Sequence, residues 1–126
     1  LDVPAQSCRI IAVRTAEDHP LLVSTSRHVT QGMIDVHEET WSLAKKTLTG
    51  TSQLVANDDY ELRVAGLSNG GRRWKFVSAE LSNLDRATGV SIAPSSAGAD
   101  EEGWLRLTIH SPADRTVRWA LKFSSE

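Results

Sequence analysis

One cysteine, Cys8, stands in 126 residues, so an internal disulfide and any metal site built from several thiolates are excluded. In the apolar stretch CRIIAV the expected state of that thiol is buried and inert. No run approaches the roughly 18 consecutive apolar residues that a membrane-spanning helix needs. The first residues do not read as a charged-then-apolar leader either. Charge of one sign is also missing: 14 Lys and Arg face 16 Asp and Glu, for a net charge of −2. No field exists to collect phosphate backbones or anionic headgroups, so neither nucleic acid nor a membrane surface is an expected partner. The chain opens on Leu1 rather than methionine, which leads us to expect a piece excised from a larger multidomain protein.

The motifs of common chemistries are equally scarce. No G-x-S-x-G elbow lifts a serine out of a sheet, and no glycine-rich phosphate cradle precedes a helix. Histidines 19, 28, 37 and 110 are scattered without H-x-x-x-H or H-x-H spacing, so no metal site is expected. The adjacent carboxylates Glu38/Glu39, Asp58/Asp59 and Glu101/Glu102 do not form a glycosidase dyad. Neighbours on a strand point to opposite faces, and the dyad needs two groups facing one sugar. They read as solvated charges and turn residues. No catalytic residue and no cofactor is expected.

What the chain does contain is a two-residue rhythm. Leu105, Leu107 and Ile109 alternate with Arg106, Thr108 and His110, while Val117, Trp119, Leu121 and Phe123 alternate with Arg118, Ala120 and Lys122. Each such strand has one dry face and one wet face, the pattern of antiparallel sheets packed face to face. The rhythm predicts strands at Ser7–Arg14, Leu21–Thr25, Met33–Glu39, Thr47–Val55, Tyr60–Leu67, Trp74–Ser82, Val90–Ala93, Trp104–His110 and Thr116–Ser124. The fold expected is a single all-β antiparallel sandwich, Ig-like or jelly-roll-like, of eight to nine short strands across residues 1–126.

Turn residues separate the strands: NDD at 57–59, SNGG at 68–71, and SPAD at 111–114, which we expect to join the last two strands as a hairpin. Ser42 to Lys46 is expected as a wide turn, and Pro94 to Gly103 as a surface loop. Helix signals are thin, because no segment carries ten periodic residues.

The stretch STSRHVTQG, Ser24 to Gly32, concentrates hydroxyls, an arginine and a histidine. A nucleophile would need a base on its hydroxyl and a third group orienting that base. The alternative, which we favour, is a crossing between sheets whose hydroxyls and Arg27 satisfy backbone groups. Among only seven aromatic residues, four are tryptophan. Trp119 falls in the dry phase of its strand and belongs to the core. Trp104 falls in the wet phase, and Trp74 follows the small basic tip of Arg72 and Arg73. A flat indole beside polar groups suits a pyranose ring, whose C–H face stacks while flanking groups bond its hydroxyls. Trp104, Trp74 and Arg73 are therefore the candidate carbohydrate contacts; covering of a sheet edge, or packing against a neighbouring domain, is the competing role for these tryptophans.

Three segments, VPAQSCRIIAVR, HPLLVSTSRHVTQG and LTGTSQLVANDDYELRV, resemble in that order the C-terminal β-domain region of bacterial glycoside hydrolases of the α-galactosidase (melibiase) type. In that family a barrel carries the catalytic aspartates and an all-β domain follows it. Nothing here matches those aspartates. The resemblance thus implies a non-catalytic accessory domain whose partner is the catalytic barrel of its parent chain, with packing beside that barrel as its main task. A carbohydrate-binding module is the alternative, and an Ig-like adhesion or protein-interaction domain a third possibility.

Overall fold

The computed structural model describes residues 2–8, 13–27, 35–95 and 103–126. Its strands are β1 (Leu21–Thr25), β2 (Val36–Ser42), β3 (Thr47–Leu54), β4 (Tyr60–Ala65), β5 (Ser68–Asn69), β6 (Arg72–Leu81), β7 (Ser91–Pro94), β8 (Leu105–His110) and β9 (Arg115–Ser125), with one short helix, α1 (Asn83–Ala87). They form two sheets, ordered β1-β4-β8-β7 and β2-β3-β9-β6-β5, and every pairing is antiparallel. The protein is an all-β sandwich, as the alternation predicts.

The alternating residues fill the space between the sheets. Leu62 and Val64 of β4 and Leu105, Leu107 and Ile109 of β8 pack against Leu48 of β3 and Val117, Trp119 and Leu121 of β9. Burying a side chain of this size contributes roughly 1.5–3 kcal/mol, so this inner layer dominates the stability. The wet phase of the same strands, Glu61, Arg63, Arg106 and Thr108, lies on the opposite face of the four-stranded sheet.

Three expectations need correcting. The SPAD segment is not a hairpin: β8 belongs to the four-stranded sheet and β9 to the five-stranded one, so it carries the chain across the core. Alternation reads the same whether the next strand pairs beside its predecessor or faces it from the other sheet. NDD makes a second crossing, between β3 and β4, and the two are tied together by Asn57 N–H to Ser111 O (2.8 Å) and Ala56 N–H to the Asp114 carboxylate (2.7 Å). Second, Cys8 is exposed, because residues 2–8 form a turn outside the sheets rather than a core strand. Third, the helix α1 was not expected. Ser82 caps it, accepting from Asp85 N–H at 3.0 Å and donating to the Asp85 carboxylate at 2.7 Å. At five residues α1 is too short to show a helical period, and only the S-x-x-D signature marks it.

The SNGG hairpin is present between β5 and β6, with Gly70 and Gly71 at positive φ, and Leu43–Lys46 form the wide turn between β2 and β3. Of the strand expected at Ser7–Arg14, residues 9–12 lie outside the described residues and the flanking ones are not in a strand. Met33, Ile34 and most of the loop from Pro94 to Gly103 also lie outside them; the described strands there are β2, beginning at Val36, and β7, ending at Pro94.

Candidate functional site

The crossing that begins at Ser24 is held by the groups expected to hold it. Ser26 N–H donates to Glu61 O (2.9 Å), and its Oγ accepts from Glu61 N–H (3.0 Å). Thr25 Oγ1 accepts from Arg27 N–H (3.2 Å), and the Arg27 guanidinium donates to Gln53 O (2.7 Å) while lying 5.2 Å from the Tyr60 ring centroid. Each bond satisfies a polar group where the chain leaves β1. His28 lies outside the described residues.

Behind this crossing a polar chain penetrates the core. Trp119 Nε1 donates to Ser52 Oγ (2.9 Å), and the Tyr60 hydroxyl donates to Asp35 Oδ2 (2.8 Å), which Thr25 Oγ1 also reaches. Burial, and secondarily the Asp35 carboxylate, pushes the Tyr60 hydroxyl well above the ordinary tyrosine range. Ser52, Trp119 and Tyr60 are all fully buried, so this network fixes the core and offers nothing to a ligand.

The accessible features gather around the segment Val13–His19, which has no regular structure and is exposed up to Asp18. It runs over an aromatic end of the core. Trp41 of β2 meets Trp74 edge-on (centroids 5.1 Å, 78°) and Phe123 at 6.0 Å, and His19 stacks flat on Trp41 (5.1 Å, 3°). The strap is tied down by single contacts: Trp74 Nε1 to Asp18 O (2.9 Å), Asn69 Nδ2 to Glu17 O (2.8 Å), and the ion pair Arg14–Glu39 (3.0 Å). The other oxygen of Glu39 accepts from Leu22 N–H (3.0 Å), so this one carboxylate joins β2, β1 and the strap.

Two cavities flank the strap. One, about 350 Å³, has an apolar floor of Leu21, Val23, Ala65 and Trp104, with Thr15, Glu17, Ser68 and Asn69 around it. The other, about 490 Å³, is lined by His19, Trp41, Leu48 and Glu39. Arg14, Thr15, Glu17 and Leu21 line both, so the strap and the start of β1 contribute to each. Both volumes fall within the range of about 300–1,000 Å³ usual for small-ligand sites. Beside the first, the Arg106 guanidinium stands 5.4 Å from the Trp104 ring centroid and pairs with Glu61 (3.3 Å), which also accepts from Arg63 Nε (2.7 Å).

Of the three candidate carbohydrate contacts, Trp104 is half-buried and lines the first cavity. Trp74 is not exposed as a platform requires: its relative exposure is 6%, and both its ring and its N–H are engaged within the protein. The irregularity between Phe76 and Ser78 breaks the rhythm of β6, which hides the inward phase of Trp74 from a reading of the sequence. Arg73 is exposed, pairs across the hairpin with Ser68, and lines a separate cavity of about 420 Å³ with Trp74, Leu67 and Phe76. The three residues do not converge on one cavity. Arg14 and Glu17, which line the cavity with Trp104, carry no motif, and neither do His19 and Trp41 of the second cavity. Trp41 lies beyond the end of the expected strand Met33–Glu39, and the register shift of β2 breaks the phase ahead of it.

Glu39 departs from the expectation of a solvated charge, since it holds three elements together. Elsewhere, His110 Nδ1 lies 2.9 Å from Asp59, with Ser91 its cross-strand partner. The His110 imidazole and the Asp59 carboxylate lie on open surface. Among the described residues no three His, Cys, Asp or Glu side chains assemble into a group suited to a metal ion. No family model, curated protein or solved structure matches the chain.

Proposed function

We propose that the chain is a non-catalytic β-sandwich module that binds carbohydrate in the Trp104 cavity and serves as an accessory domain of a larger carbohydrate-active enzyme. The observation that carries this reading is the cavity's make-up. An indole and small aliphatic side chains form its floor, and hydroxyl, amide and charged groups of both signs surround it. A sugar has one apolar face and a ring of hydroxyls, and such a site answers both. The glycoside hydrolase parent, of α-galactosidase-like type, rests on the resemblance of three segments in the first half of the chain.

The test is titration of the domain with mono- and oligosaccharides of glucose, mannose, galactose and xylose, followed by intrinsic tryptophan fluorescence and by calorimetry. Saturable binding that Trp104→Ala removes, with the circular dichroism of the sandwich unchanged, is the expected result. Silence across the panel sinks the reading.

Packing beside a catalytic barrel is the second reading. Val13 on the strap and Leu84 on α1, 87% and 68% exposed, favour it as apolar side chains that a neighbouring domain would cover. Adhesion by strand addition has less support. The β1 edge has Leu22 N–H already bonded to Glu39, and β2 is broken by a register shift around Glu38, whose φ is 55°.

A further inference from the structure

We propose that the open edge of β6 at Phe76 receives an extended segment of another polypeptide, one that alternates apolar and acidic residues. β5 is only two residues long and covers β6 at Arg72 and Arg73 alone. Trp74 N–H makes the last bond of that hairpin, to Leu67 O at 2.7 Å. β9 lies on the other side of β6, where Glu126 N–H donates to Arg73 O at 2.9 Å. Backbone groups alternate sides along an antiparallel strand, so those of Phe76 turn the same way as Trp74 N–H, away from β9. Among the described residues no strand pairs with β6 on that side beyond Arg73, and Phe76 has no backbone bond there. The β1 edge differs, since Glu39 already takes Leu22 N–H.

This edge opens into the cavity of about 420 Å³, whose wall includes the four consecutive residues Arg73, Trp74, Lys75 and Phe76. Consecutive strand residues point to opposite faces, so a cavity touching all four runs along the edge of the strand and not over one face. The two faces then prescribe the visitor. On the inner side, Trp74 and Phe76 are joined by Leu67 and Leu105, an apolar surface. On the outer side, Arg73 and Lys75 are exposed cations.

Among the described residues neither of those cations has an ion-pair partner, whereas Arg72 has Asp18 and Lys122 has Glu80. Glu126 is the single carboxylate among the described residues that line the cavity. An added strand alternates its side chains across the same two faces, so apolar residues fall beside Phe76 and acidic ones beside Arg73 and Lys75. A second copy of β6 fits poorly, because pairing edge to edge would set these cations against their own kind. The register shift between Phe76 and Ser78 confines the pairing to a short segment.

Calorimetry with a capped hexapeptide alternating valine and glutamate, and with its valine–lysine counterpart, tests the proposal. The glutamate peptide should bind at least about tenfold more tightly than the lysine one. Arg73→Glu combined with Lys75→Glu, at two exposed positions, should reverse that order while circular dichroism stays unchanged, and Arg73→Gln with Lys75→Gln should abolish the preference. Glutamate peptides N-methylated on the valines or on the glutamates separate backbone pairing from side-chain contact: at least one of the two should bind about tenfold more weakly or worse. Hydrogen exchange by NMR should show the Phe76 amide slowed by about tenfold or more when the peptide is present. No binding, equal affinity for the two charges, full retention by both N-methylated peptides, or unaltered exchange at Phe76 would each overturn the proposal. Dimerisation of the free protein that excess peptide reverses would overturn it in favour of a second copy. The sugar titration reads a different cavity, so failure here leaves the carbohydrate reading standing, and the reverse holds equally.

Discussion

Gly50 of β3 and Trp119 of β9 are direct cross-strand partners, and the indole occupies the space a side chain at position 50 would take. A methyl group built on Gly50 meets the six-membered ring, standing 2.8 Å from Trp119 Cη2. Trp119 is fully buried and cannot swing away without displacing the core around it. Gly50→Ala should therefore destabilise the fold, by about 1–3 kcal/mol as overpacked cores do, despite the better strand propensity of alanine. Urea unfolding followed by tryptophan emission measures this, and a midpoint equal to wild type would refute it.

The same indole depends on Ser52. Its N–H donates to Ser52 Oγ at 2.9 Å in a site with no exposure to solvent. Ser52→Ala leaves that donor buried without a partner, at a cost of about 1–3 kcal/mol. Combined with Gly50→Ala the effects should fail to add, since both act on one ring, and a double-mutant cycle reads the coupling directly.

Tyr60 makes the stability sensitive to alkali. Its hydroxyl ionises in the unfolded chain near pH 10 but is held neutral in the fold by burial and by Asp35. A folded-state pKa above the unfolded one means that the contribution is fully present below about pH 10 and is lost as pH rises beyond it. Tyr60→Phe should cost roughly 1–2 kcal/mol at neutral pH through the lost hydrogen bond to Asp35, and should flatten the decline in stability between about pH 10 and 11. Identical alkaline slopes in the two proteins would count against this account.

Glu39 couples the strap to both sheets through Arg14 and Leu22 N–H. The ion pair is partly solvated and contributes about 0–1 kcal/mol, so Glu39→Ala should lower global stability only modestly. Locally the effect should be larger: amide exchange at Leu22 should accelerate by about tenfold or more, as its acceptor is gone. Exchange monitored by NMR distinguishes the two, and unchanged protection of Leu22 would show that Glu39 is not the staple.

Ser82 is the cap of α1, and Asp85, buried behind it, also stands 3.5 Å from Arg115 Nε of β9. Ser82→Ala should cost about 1 kcal/mol, the usual loss for a side-chain cap. Thermal unfolding by circular dichroism provides the measure; an unaltered melting temperature would mean that Arg115 alone orders α1.

The expected and observed strands agree where one face is buried and the other wet. Trp104–His110 and Thr116–Ser124 are legible because every second side chain is apolar, and they correspond to β8 (Leu105–His110) and β9 (Arg115–Ser125) within one residue at each end. Legibility failed where that rhythm breaks. The irregularity beside Phe76 hid the burial of Trp74, and the register shift beside Glu38 gave Glu39 a role that alternation does not foresee. The candidate site was legible only in Trp104. Arg14, Glu17, His19, Trp41 and Glu39 are brought together by a segment without regular structure, and such a segment leaves no period to read.

By itself the order of amino acids determined the class of this protein: period-two burial makes strands, and strands with one dry face must pack that face against another sheet. Which strands share a sheet, where the chain crosses the core, and how Val13–His19 come to lie over Trp41 and Trp74 were decided only by tertiary structure. The reason is physical. Burial depends on which side a residue faces and is satisfied equally by several partners, whereas a cavity between a strap and two sheets depends on contacts among residues distant along the chain, each of which has meaning only once the others are in place.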